Sequence, residues 1–156
     1  EDGIRDRSPS RGLGDVYKRQ PKVLLDRLKI DHRSVILGTS SMWEGVDVRG
    51  DALQVVAITR LPFGVPSDPV FKARSEQYEN PFMEYALPDA ILRFRQGFGR
   101  LIRSHSDRGV FLILDSRTSK TRYGSEFLKA LPEMKKQRVG QGQIRNLVSG
   151  WLKTKT

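Results

Sequence analysis

Hydrophobic positions along this chain follow two periods. Val23, Leu24, Leu28 and Ile30 recur at the spacing of a short amphipathic helix that opens at Pro21. Residues 34–37 (SVIL) instead form an unbroken apolar run closed by Gly38, the pattern of a buried strand. Two further runs of this kind, 53–59 (LQVVAIT) and 110–114 (VFLIL), predict two more strands. Between them the pattern turns helical. A helix is expected to start near Asp68, after the proline-punctuated stretch at Pro66 and Pro69. Others are predicted over 88–103, over 120–131 where Pro132 ends it, and over 143–152. No internal repeat interrupts this order. Apolar strands separated by helical stretches predict an α/β fold with a parallel sheet covered on both faces.

The helix over 88–103 carries the clearest chemistry. At about 100° per residue, Ile91, Phe94, Phe98, Leu101 and Ile102 fall on one face, with Arg93, Gln96, Arg100 and Arg103 roughly opposite. One side can pack on a sheet while the other presents guanidiniums, whose planar forks match phosphate oxygens. Gly97 and Gly99 lie on the flanks, and each costs about 1 kcal/mol against alanine inside a helix. Two such costs point to close approach by another backbone or a ligand, or to a helix that ends near Gly97. A solvated basic face is the plain alternative for a bare arginine stripe.

Composition narrows the choice. The chain has 156 residues, one ordinary domain's length, with 28 Lys and Arg against 18 Asp and Glu, a net charge of +10. Such a balance suits a polyanionic partner without naming it. The absence of cysteine excludes disulfides, thiolate zinc sites and iron–sulfur ligation by these residues. His32 and His105 cannot alone make a usual zinc site. No apolar run approaches the roughly 20 residues of a membrane span, so no membrane partner is expected. Without a signal-peptide pattern, a cytoplasmic location is expected.

The segment after the first expected strand, 38–50 (GTSSMWEGVDVRG), sits where open α/β sheets bind ligands, beyond a strand's carboxyl end. Thr39, Ser40 and Ser41 offer donors to phosphate oxygens, or simple turn chemistry. Glu44 and Asp47 are paired acids in a basic protein, and Trp43 can stack on a base or fill the core.

Together, GTSSMWEGVD and, some fifty residues on, QGFGRLIRS resemble motifs V and VI of superfamily 2 helicases of the DinG/XPD group. The linking LPFGVPSDP and the trailing LDSRTSKTRYGSEFLKALP are similar to the bacterial DinG branch, and the resemblance covers residues 34–132. It implies a second RecA-like domain, N-terminally incomplete, whose relatives bind ATP and Mg²⁺ between two such domains. By that resemblance Arg100 and Arg103 are arginine fingers and Gln96 holds the γ-phosphate or attacking water. Glu44 and Asp47 would bind the nucleotide or couple its state to DNA, Gly45 would permit the tight turn of that nucleotide-binding segment, and Gly38, Thr39 and Ser40 would lie near the DNA backbone. Asp115 and Arg117 match an acidic–basic pair that family members keep after the last strand, read as structural or coupling.

The departures are plain. The chain has no GxxxxGK[ST] loop and no DEAH-type box, so it is expected not to hydrolyse ATP alone. The implied partners are single-stranded DNA, moved 5′ to 3′, and an N-terminal RecA-like domain. A 4Fe–4S cluster belongs, in relatives that have one, to that first motor half. Three regions are expected: a non-native or disordered leader over 1–20, which resembles translated adaptor read-through; the partial helicase domain over 21–132; and a basic tail with a short helix over 133–156. Two other readings compete: a non-catalytic single-strand-binding module, and the motor part of an exonuclease–helicase fusion.

Overall fold

The computed structural model describes residues 21–31, 33–39, 48, 52–103 and 107–154. Helix α1 (Pro21–Ile30) is followed by strand β1 (Val55–Ile58), helix α2 (Pro69–Ser75), helix α3 (Leu87–Leu101) and strand β2 (Val110–Ile113). Two short helices, α4 (Arg117–Lys120) and α5 (Gly124–Lys129), and a longer one, α6 (Gln141–Lys153), complete the order. A π-helical segment, Pro81–Ala86, leads directly into α3.

The sheet is parallel, with Val55 opposite Val110 and Ile58 opposite Ile113. The connection from β1 to β2 runs through α2 and α3, the crossover that a parallel pair requires. One face carries Ile58, Phe111 and Ile113 into the main core, where they meet Leu87, Ala90, Phe94 and Phe98 of α3, Phe127 of α5, and Leu131. Phe94 is fully buried, with ring centroids 5.4 Å from Phe111 and 5.3 Å from Phe127, both nearly edge-on. Such pairs add about 0.5–1.5 kcal/mol beyond their burial. The opposite face, bearing Ala57 and Leu112, is closed less: Ala57 is exposed and Leu112 half-buried. Among the described residues the crossover helix α3 packs its apolar stripe on the Ile58, Phe111 and Ile113 face.

Capping explains where helices start. Asp68 accepts the Phe71 N–H at 2.9 Å, with Pro69 in the first turn of α2. Asn80 accepts the Met83 N–H at 3.1 Å ahead of the π-helical segment.

Two expectations need correction. Residues 34–37 form no strand: Ser34 and Ile36 are half-buried while Val35 and Leu37 are exposed. The run alternates as a strand would, and Ile36 packs with Leu25, Leu28 and Val48 in a second small cluster. A strand also needs a backbone ladder, and among the described residues the sheet contains only β1 and β2. The helix expected over 120–131 is confined to α5, Gly124–Lys129, with Lys120 closing the separate α4. Thr121 is extended, ending α4, and α5 starts at Gly124. A Cβ at Gly124 would collide with the Arg117 carbonyl oxygen and the Thr118 backbone, so the close approach of α4 and α5 depends on this glycine.

Candidate nucleotide and nucleic-acid interface

Helix α3 presents its two faces as its spacing requires. Leu87, Ala90, Phe94, Gly97, Phe98 and Leu101 are buried, and Ile91 and Ile102 are partly so. Asp89 lies in the first turn and Arg100 in the last, each favourable against the helix dipole. Gln96 and Arg103 are exposed and Arg100 is half-buried. The helix passes through both glycines without ending at Gly97. Gly97 is buried, whereas a Cβ on Gly99 would meet nothing within 4 Å, so nothing among the described residues demands that glycine.

Arg93 has a partner on its own helix. Its Nε lies 3.0 Å from Asp89 Oδ2, one turn earlier. The contact is an ion pair without hydrogen-bond geometry, since that oxygen has no hydrogen-bond partner among the described residues. Arg93 is thus held within α3 by Asp89.

The end of α3 is fixed against the start of β2. Leu101 packs so closely on Gly109 that a Cβ there would overlap its side chain. The Arg103 N–H donates to Asp107 Oδ2 at 2.8 Å, tying the end of α3 to the residues that lead into β2. Arg100 and Arg103 therefore stand at the amino edge of the sheet. The two guanidiniums carry donors only and suit the oxygens of an anionic group, whereas a metal ion would need other ligands. Among the described residues no group of three or more His, Cys, Asp or Glu could hold a metal.

Gly38 and Thr39 are exposed in an irregular segment. Ser40, Trp43, Glu44, Gly45 and Asp47 lie outside the described residues, as does His105. The Gly38–Thr39 segment follows Ile36, which belongs to the smaller cluster, while α3 belongs to the main core.

At the carboxyl edge, Asp115 and Arg117 form a latch. Asp115 Oδ2 accepts the Leu61 N–H at 2.8 Å and Arg117 Nη2 at 2.6 Å; Oδ1 accepts the Arg117 N–H at 3.0 Å. The Arg117 guanidinium also lies 5.3 Å from the Phe63 ring centre. Its side chain and these N–H donors hold the Asp115 carboxyl far below the usual carboxylate range, against the opposing effect of burial. The Asp–Arg spacing after an apolar strand was visible in sequence. The partner Leu61, 54 residues away, was not, because a backbone N–H leaves no side-chain signature.

Residues 12–134 match the family model described as the helicase C-terminal domain. The chain belongs to this family. It is 47% identical over 147 residues to a protein of Haemophilus influenzae named ATP-dependent DNA helicase YoaA, covering 84% of this chain and 23% of that protein. It is 41% identical over 134 residues to a Bacillus subtilis protein named 3′-5′ exonuclease DinG, covering 83% of this chain and 14% of that one. It is 46% identical over 123 residues to ATP-dependent DNA helicase YoaA of Escherichia coli, covering 76% and 19%. This helicase C-terminal domain thus spans less than a quarter of the relatives it matches. No helix among the described residues is long and apolar enough to cross a membrane.

Proposed function

We propose that the chain is the C-terminal motor half of an ATP-dependent DNA helicase of the DinG type, working 5′ to 3′ in bacterial DNA repair or replication in the cytoplasm. The observation that carries the reading is the amphipathic helix α3. Its buried stripe packs on the sheet and leaves Gln96 exposed and Arg100 half-buried on the helix, with exposed Arg103 two residues past its end, in a domain of the helicase C-terminal family. Arg100 and Arg103 act as fingers that stabilise charge on the transferring phosphoryl group, an effect worth about 10³–10⁵ in rate. Gln96 holds the γ-phosphate or orients the attacking water. Glu44, Gly45 and Asp47 contact the nucleotide, and Gly38, Thr39 and Ser40 follow the DNA backbone.

ATP and Mg²⁺ are bound mainly by an N-terminal RecA-like domain carrying the phosphate loop and acid box that these 156 residues lack. Alone, this half turns over no ATP. Any 4Fe–4S cluster of the whole protein lies in that other half. One observation favours a second reading, an exonuclease–helicase fusion: the similarity to the Bacillus protein named as an exonuclease.

The test is strand displacement by the full-length protein. Duplexes with a 5′ single-stranded tail should be opened with ATP, and those with only a 3′ tail should not. Equal opening of both, or none, would count against the reading.

A further inference from the structure

The carboxyl edge of the sheet holds a second basic site that the motor reading leaves unused. Parallel strands end on the same side, so Thr59 and Arg60 after β1 lie beside Leu114, Asp115 and Ser116 after β2. With Arg117 they line an open pocket of about 400 Å³. Carboxyl ends of adjacent parallel strands are where open α/β sheets take ligands.

The charges of this pocket are unevenly committed. Asp115 accepts from Leu61, from the Arg117 backbone and from the Arg117 side chain, so its charge is cancelled by that guanidinium. Arg60 is exposed and makes no ion pair or hydrogen bond through its side chain among the described residues. The pocket therefore carries about one net positive charge, beside the exposed hydroxyls of Thr59 and Ser116. A phosphodiester carries one negative charge and only acceptor oxygens.

Position separates this pocket from the fingers. Arg100 and Arg103 stand at the amino edge, where Leu101 meets Gly109. The four residues of each strand place roughly 13 Å between the edges. One phosphate cannot touch both.

We propose that the Thr59–Arg60–Ser116–Arg117 pocket binds a single phosphodiester of the nucleic-acid strand, with Arg60 as its charged contact and the Asp115 latch positioning Arg117 beside it. The proposal rests on the nucleic-acid reading above and adds the place where the strand is held.

The test is the affinity of the full-length protein for labelled oligo(dT), measured across a salt series, for wild type, Arg60→Gln and Arg60→Lys. One phosphate contact fewer should lower the slope of log affinity against log salt by about 0.7, and the affinity by about five-fold at 0.1 M salt. Arg60→Lys should keep most of the affinity. The inference is overturned if Arg60→Gln binds oligo(dT) with wild-type affinity and slope. It is also overturned if that variant raises only the ATP concentration needed for half-maximal rate, which would assign the pocket to a nucleotide phosphate. A wild-type protein that binds no oligo(dT) would instead overturn the nucleic-acid reading, and this proposal with it.

Discussion

Replacing Asp115 by asparagine tests the latch that joins the ends of β1 and β2. Asn keeps the shape and one acceptor oxygen, so it can still serve Leu61 or Arg117. It cannot serve both edges of the guanidinium, and it removes the negative charge. Hydrogen bonds to charged groups contribute about 1.5–3 kcal/mol each. Asp115 is 8% exposed, but Arg117 is 40% exposed and partly screened by water. A net loss of about 2 kcal/mol is expected at pH 7. For a chain of this size that lowers Tm by roughly 4–8 °C. The folded carboxyl titrates well below its ordinary value of 3.8, so its stabilisation is fully present above about pH 4 and is lost as pH falls through the depressed value. Urea unfolding of the 156-residue chain should therefore show a wild-type advantage at pH 7 that narrows from about pH 4 towards about pH 2. An advantage that stays constant across that range, or none at pH 7, would refute the latch.

The glycines give contrasting predictions. Gly99→Ala places its Cβ in open space within α3 and should stabilise the chain by about 0.5–1 kcal/mol, read as a higher urea midpoint; destabilisation would show a contact that α3 does not display. Gly124→Ala drives its Cβ into the backbone of α4 and should destabilise by about 1–3 kcal/mol, with an unchanged midpoint contradicting the close approach of α4 and α5.

What the sequence made legible follows from how local each signal is. The stripe of α3 was readable because one helix sets its own periodicity, and Phe94, Phe98 and Leu101 are buried as their spacing requires. Both β-branched runs that became β1 and β2 were readable for the same reason, although each strand is shorter than its run. The run at 34–37 misled because being a strand depends on a partner, and composition cannot supply one. The helix over 120–131 misled because Gly124 reads as a tolerated interior glycine until the preceding turn folds back and brings the Arg117 and Thr118 carbonyls against it. Within the candidate site, the pairing of Arg93 with Asp89 one turn earlier follows the i,i+4 spacing of the helix. Arg60 drew no attention because its importance arises only where β1 ends beside β2.

The most direct test of the motor reading is DNA-stimulated ATP hydrolysis by the full-length protein carrying Arg103→Ala, with oligonucleotide affinity measured on the same sample. A finger acts on the transferring phosphoryl group, so the rate should fall by about 10³-fold or more, while affinity for single-stranded DNA stays within about two-fold of wild type. Retained ATPase activity would contradict the assignment. So would a loss of DNA affinity with a flattened salt slope, which would make Arg103 a backbone-phosphate contact instead.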